Sequence, residues 1–319
     1  MIYKLIIIFL YSIFATYVAI DYFRKRLIKY GYVVQDQYKL GKKLIPTMGG
    51  MPMFVGVIVS LSLSQLLIKN SVVGKLFIFY FIVTVYTLYG VVDDLFSFKT
   101  RYDKILALLV LSFPIASLIQ HTGITIFSHF LELNGFFPLL FAPLYIMVVA
   151  NLLNVHSGFN GLDIGLSLIL LITIGIKSFL LYGIENLMFI IPILGTLIVF
   201  LPFNFVPAKI LPGNSGQFLA GSAIGAALII NQLEFFGIII LIPHIINFLM
   251  DTYTLKIKKV PLVKYGKVSK KCKIIAPTSM RFVSLKFFVT HYFRLTEKQA
   301  VLVCYAITIA FCVLGFIIA

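Results

Sequence analysis

The sequence predicts an all-α integral membrane protein of about ten transmembrane helices, with both termini outside and an active site on the cytoplasmic face. Three observations carry that expectation. Apolar residues fill 61% of the 319 positions and charged residues only 12%, with a mean hydropathy of +1.04. A soluble domain runs at roughly 45–50% apolar and about 25% charged. So large an apolar excess cannot be hidden in one globular core, and a disordered chain would lack it altogether. Next, the apolar residues fall into runs of the length that crosses a bilayer, about 20 residues. Finally, the cations concentrate in alternate loops.

The runs are 2–20, 50–68, 76–92, 105–119, 136–152, 164–181, 187–203, 217–231, 235–250 and 300–319. The first has no small-residue cleavage site and is followed by Arg24, Lys25 and Arg26. It reads as an uncleaved anchor with its amino end outside. The run 217–231 is the least convincing, but Gly221 and Gly225 sit at the spacing that lets helix backbones approach closely. Ten spans place both termini on one side. The loops on the other side (21–49, 93–104, 153–163, 204–216 and 251–299) hold 23 of the 27 lysines and arginines. The positive-inside rule makes those loops cytoplasmic. The net charge of +16 is thereby a matter of sidedness, not a sign of nucleic acid. No internal repeat divides the chain, so residues 1–319 are expected to form a single polytopic domain with a basic loop at 251–299.

On a helical wheel, residues 280–294 of that loop gather Phe282, Leu285, Phe288, Val289, Tyr292 and Phe293 in one wedge. Lys286, Thr290, His291 and Arg294 fall opposite, with Arg281 and Phe287 as exceptions. The pattern suits an interfacial helix at headgroup level. Cys272, Cys304 and Cys312 lack any metal or disulfide spacing, and the last two are expected to be buried small hydrophobes.

Polar chemistry gathers on the same face. All seven aspartates lie in or beside the cytoplasmic loops. Asp93 and Asp94 end an apolar run, and ionisable groups at membrane depth point to function. Adjacent carboxylates repel, so a proton, a cation or a nearby lysine must stabilise them. The segment ANLLNVHSGFNGLDIG, from Ala150 to Gly165, interrupts two apolar helices with amides and glycines. Asn151 and Asn154, three apart, share a helix face, and amide oxygens are acceptable ligands for a hard cation. His156 reads as a hydrogen-bonded loop histidine. LPGNSGQFLAG, Leu211 to Gly221, is a Gly-rich turn opening a helix, where backbone N–H groups favour anions such as phosphate. KKLIPTMGGMP, Lys42 to Pro52, opens another helix on the same face. Four such elements argue for one composite site.

Together these motifs resemble the polyprenyl-phosphate N-acetylhexosamine-1-phosphate transferases. The order PTMGG at 46–50, Asp93-Asp94, NxxNxxxGxNGL at 151–162, then a Gly-rich loop, is that family's order. Asn-Gly-Leu-Asp at 160–163 looks closer to the dolichyl-phosphate GlcNAc-1-phosphotransferase branch than to the peptidoglycan branch. The resemblance implies transfer of a sugar-1-phosphate, GlcNAc-1-phosphate first among candidates, from a UDP-sugar to dolichyl or polyprenyl phosphate. UMP is released with Mg2+ present. Asp93 and Asp94 would be catalytic and Lys104 would hold phosphate. Asn151, Gly158 and Asn160 would contact substrate, with Lys43 and Lys259 as further substrate-binding cations. Asn154 and Asn214 would ligate the metal. The resemblance also implies a cell-membrane enzyme (endoplasmic reticulum membrane if eukaryotic), and family members are often homodimers.

Two departures stand out. Gly213-Asn214 replaces the family's Gly-Asp, so a metal would need another carboxylate, with Asp163 the candidate. In the last cytoplasmic loop, Lys256, Lys258 and Lys259 stand where a His- or Arg-bearing motif is expected. Another UDP-N-acetylhexosamine as donor, or a catalytically silent lipid-phosphate binder or flippase, are the alternatives.

Overall fold

A computed structural model of the chain describes residues 1–41, 43–67, 73–96, 101–113, 119, 121–127, 129–259, 265–277 and 283–319. The helices are α1 (Ile2–Lys29), α2 (Gly50–Leu67), α3 (Val73–Phe96), α4 (Arg101–Ser112), α5 (Ala142–Val155) and α6 (Leu162–Tyr182). They continue with α7 (Ile191–Asn204), α8 (Gly213–Ile230), α9 (Glu234–Ile240), α10 (Ile242–Thr252), α11 (Leu285–Phe293) and α12 (Glu297–Ile318). Three antiparallel hairpins lie in the connections. They pair β1 (Val33–Gln35) with β2 (Leu44–Pro46), β3 (Gly123–Ile126) with β4 (His129–Glu132), and β5 (Lys267–Val268) with β6 (Ile274–Ile275).

Within the described residues, helix overlaps each of the ten expected runs. Among the described residues, six helical segments are long and apolar enough to cross a bilayer, or seven if α9 and α10 form one broken span. The six are α1, α2, Leu76–Phe96 of α3, Phe137–Val155, α6 and α12. The others depart from the expected form for separate reasons. Part of 105–119 lies outside the described residues. Helix α7 is only 14 residues long, with a 3-10 turn over Ile184–Phe189 before it and Pro202 inside it. Helices α9 and α10 meet at a 64° bend, with Pro243 in the first turn of α10. A proline there has no N–H to continue the preceding helix.

Helix α8 is the centre of the bundle. It packs most extensively on α3 and α5 and also touches α2 and α6. Every residue from Phe218 to Ile229 is buried. That explains the modest apolarity of this run: a helix surrounded by helices can carry the small residues that close packing needs. A Cβ on Gly221 would lie 2.8 Å from Cα of Ala150, and one on Gly225 3.0 Å from Cα of Ile146. The Gly221/Gly225 pair is therefore the contact with α5. Gly221→Val should destabilise the fold by roughly 1–3 kcal/mol, the usual range for overpacking. Thermal unfolding in detergent checks this, and an unchanged midpoint would mean that the two backbones do not approach so closely.

The carboxy-terminal helices start where their sequence says they should. Thr296 accepts from the N–H of Gln299 while the Gln299 side chain reaches back to the Thr296 N–H, a reciprocal cap that opens α12. Ser284 caps α11 through the N–H of Phe287. The interfacial-helix expectation for 280–294 needs correction over its described part. Phe287, Val289 and Thr290 are the buried side chains of α11, and Phe287 packs with Ala276 and Val283 in a small core. Tyr292 and Phe293, at the end of the helix, stay exposed. Cys304 and Cys312 are buried, as expected.

Candidate active site

A cleft of about 430 Å3 opens at the end of the bundle where α3 and α5 finish and α6 and α8 begin. Asp94, Asn154, Gly158, Asn160, Asp163 and Asn214 all line it. Five of these six were expected site residues, and Asp163 was the candidate extra carboxylate. They come from four different helix ends and from the loop between α5 and α6, so the structure brings residues of these motifs together in one cleft.

The structure separates Asp93 from Asp94. Successive helix residues point about 100° apart. Asp94 lines the cleft, whereas Asp93 is 1% exposed and is not among the lining residues. The Asp94 carboxylate accepts from the N–H of Asn214 at 2.8 Å, from the N–H of Ser215 at 3.0 Å and from the Ser215 hydroxyl at 2.8 Å. It thus seats itself on the first turn of α8, where the helix dipole favours negative charge. The Gly-rich turn was expected to offer its N–H groups to phosphate. Two of them instead hold the protein's own carboxylate.

The PTMGG element is the structural partner of that turn. Leu211 N–H donates to the Pro46 carbonyl, Gly49 N–H to Leu211 and Gly50 N–H to Pro212, each at 2.8 Å. Proline and glycine at these positions therefore zip the entrance of α2 to the entrance of α8.

The loop between α5 and α6 is held along its length by side chains from distant elements. The Ser157 carbonyl accepts from Lys286, and the Ser157 hydroxyl donates to the Asn154 carbonyl at 2.6 Å. Asn160 N–H donates to Glu297 at 2.9 Å, and Gly161 N–H to Asn204 Oδ1 at 3.1 Å. The Tyr305 hydroxyl donates to the Gly161 carbonyl. Asp163 is 5% exposed and accepts from Gln217 at 2.8 Å and from the N–H of Ile164 at 2.9 Å. Such a loop is set before any ligand arrives.

Lys286 is a site residue that the helical wheel put on a polar outer face. It lines the cleft, with its ammonium on the Ser157 carbonyl and 5.4 Å from the centre of the Phe159 ring. Gly158 makes the approach possible, since a Cβ there would collide with Lys286 Nζ. Burial pulls the Lys286 ammonium down to about 8, although Asp163, Asp251 and Glu297 pull it upward. Asp36, Tyr38 and Gln217 also line the cleft, and the sequence reading singled out none of them.

Other expected residues stand elsewhere. Asn151 is not among the lining residues; its amide donates back to the Met147 carbonyl at 2.9 Å. Lys43 and Lys259 are exposed and absent from the lining. Lys104 belongs to α4, but its side chain lies outside the described residues. The expectation for His156 was a hydrogen-bonded loop histidine. Its ring nitrogens have no partner among the described residues, and the ring packs edge-on against His244 with centroids 4.7 Å apart. Burial, with His244 and Lys286 nearby, pushes the His156 imidazole well below its usual range.

Among the described residues, no three His, Cys, Asp or Glu side chains cluster as a metal site. The donor set of the cleft is nevertheless all oxygen, with the carboxylates of Asp94 and Asp163 beside the amides of Asn154 and Asn214. Each carboxylate keeps lone pairs beyond those already bonded. Such a set suits a hard divalent cation. With Lys286 on the same wall, the cleft can take an anion and a cation together.

Residues 76–232 match the family model for Glycosyl transferase family 4. A protein of Saccharolobus solfataricus, provisionally named a UDP-N-acetylglucosamine–dolichyl-phosphate N-acetylglucosaminephosphotransferase, is 25% identical over 322 residues, 97% of this chain and 95% of its own. A Sulfolobus acidocaldarius protein with the same provisional name is 27% identical over 309 residues, covering 91% and 88%. A phospho-N-acetylmuramoyl-pentapeptide-transferase of a Hydrogenobaculum species is 28% identical over 233 residues, 64% of each chain. The matched segment holds Asp94, Asn154, Asn160, Asp163 and Asn214, but not Asp36 or Lys286.

Proposed function

The chain belongs to glycosyl transferase family 4, the polyprenyl-phosphate N-acetylhexosamine-1-phosphate transferases, and from that premise we propose that it makes lipid-linked GlcNAc diphosphate. The donor is UDP-GlcNAc and the acceptor dolichyl phosphate, in line with the names of the two relatives that span nearly the whole chain. An oxygen of the lipid phosphate attacks the β-phosphorus of the donor, the bond to the bridging oxygen breaks, and UMP leaves. The observation that carries this reading is the cleft itself, where three carboxylates, four asparagines and a lysine meet at one end of an apolar bundle.

In-line phosphoryl transfer asks for positioning and charge neutralisation more than for covalent help. Asp94, fixed by three donors on α8, orients or deprotonates the acceptor phosphate. Lys286 neutralises the donor diphosphate. The loop from Asn154 to Asn160 holds the nucleoside. Mg2+ would be held by Asn154, Asn214 and Asp163, and when bound it would neutralise phosphate charge. The site faces the cytoplasm, a placement supported by the 23 cations in loops of one side, and ten spans with both termini outside complete the topology.

Two experiments test this reading. Mass spectrometry of the lipid product should find GlcNAc diphosphate on dolichol. Product only from a MurNAc-pentapeptide donor would move the chain to the other specificity in the family. Separately, Asn214→Asp restores a charged oxygen and should lower the Mg2+ concentration for half-maximal activity by roughly tenfold, as an added ligand charge tunes such sites. An unchanged titration would take Asn214 out of the metal site.

A further inference from the structure

Asn160 is gripped by two buried acids that lie far away in sequence. Its amide nitrogen donates to both oxygens of Asp36, at 3.2 and 3.1 Å, and its main-chain N–H donates to Glu297. Asp36 is 5% exposed and Glu297 3%. Lys39 bonds Glu297 and stands 3.7 Å from Asp36, so one cation serves both acids. Asp36 is itself fixed by its own N–H on the Lys43 carbonyl at 2.9 Å. The edge-on packing of Tyr38 against Phe159, at 4.9 Å, braces the same loop from the side.

This arrangement decides which end of the Asn160 amide meets a ligand. A carboxylate only accepts hydrogen bonds, so the NH2 of Asn160 must be the group facing Asp36. The carbonyl oxygen, on the other branch of the amide, is then the atom left to face the cleft that Asn160 lines. Without Asp36 the amide could turn over and present its NH2 instead.

We infer that Asp36 is a positioning residue for nucleobase selection: it holds Asn160 so that the cleft presents an acceptor, which suits a base carrying a ring N–H, as uracil does. Cytosine has a lone pair at the corresponding ring nitrogen, and two acceptors face to face repel. This inference rests on the UDP-sugar reading of the cleft, and adds to it how one pyrimidine is told from another.

The test is titration calorimetry of purified protein in detergent with UMP and with CMP. The wild type should favour UMP by roughly 100-fold or more, as sites that hydrogen-bond a ligand reject an analogue that leaves them unpaired. Asp36→Asn should bring the two nucleotides to within roughly tenfold of each other. The double exchange Asp36→Asn with Asn160→Asp again places an amide donor against a carboxylate and an acceptor in the cleft, so it should regain most of the preference. A merely structural loss at Asp36 would weaken UMP and CMP alike and leave their ratio unchanged, which would overturn the inference. Failure of the double exchange to regain the preference would overturn it too. If the wild type bound UMP and CMP equally, base selection would fail while the transferase reading stood. If it bound neither, that reading would fall first.

Discussion

Asp94→Asn is expected to lower turnover by at least ~100-fold, the common scale for a positioned acid or base. The carboxylate is the one member of the Asp93-Asp94 pair that lines the cleft, and three donors hold it there. An amide of the same shape would turn one NH2 toward N–H groups of α8 that need an acceptor. Loss of that cap should also destabilise the fold by about 0.5–2 kcal/mol. Ser215→Ala removes one of the three donors and none of the charge, so it separates the two effects. Its turnover should stay within about tenfold of wild type, since a single neutral hydrogen bond contributes about 1 kcal/mol. Near-normal turnover in Asp94→Asn would leave that carboxylate as a helix cap with no part in the chemistry.

Lys286→Ala should cut kcat/KM for the donor by roughly 10- to 100-fold, the worth of a hydrogen bond to a charged group. The ammonium is the cation that the described structure places on the cleft wall, and burial pulls it down to about 8. The sign of the pH effect follows. Below that value Lys286 is charged and holds an anion; as the pH rises through it the charge is lost and kcat/KM falls. This profile reports the free enzyme. Lys286→Arg keeps its charge throughout and should erase the alkaline limb, even if the larger head fits less well beside Gly158. A profile of kcat/KM that stays flat through pH 8 in the wild type would remove Lys286 from donor binding.

Much of the site was legible because it sits where apolar periodicity breaks. Asp94, Asn154, Gly158, Asn160 and Asn214 are costly at membrane depth, so their presence at helix ends announced a purpose. The spacing rule was too coarse for Asn151. Three residues along a helix is still about 60° off the same direction, which was enough to turn that amide onto its own backbone. Lys286 was hidden for a different reason. A wheel drawn for α11 tells one face from another, but not whether the face opposite the apolar wedge meets water or a neighbouring loop. Phe287, one of the exceptions on that wheel, is what seats the helix against its small core. Asp36 and Glu297 gave no local signal at all, because their role exists only through contact with Asn160, which lies 124 and 137 positions away. The long spans were easier: length and apolarity located the six described segments able to cross a bilayer, while the bend between α9 and α10 and the burial of α8 depend on neighbours.

The measurement that bears most directly on the transferase reading is UMP release by purified protein in detergent. UDP-GlcNAc, dolichyl phosphate and Mg2+ are supplied together and then each omitted in turn. Release that requires all three is the expected result. Absence of release from the complete mixture, and from any other UDP-sugar, by a protein that still unfolds cooperatively would contradict it.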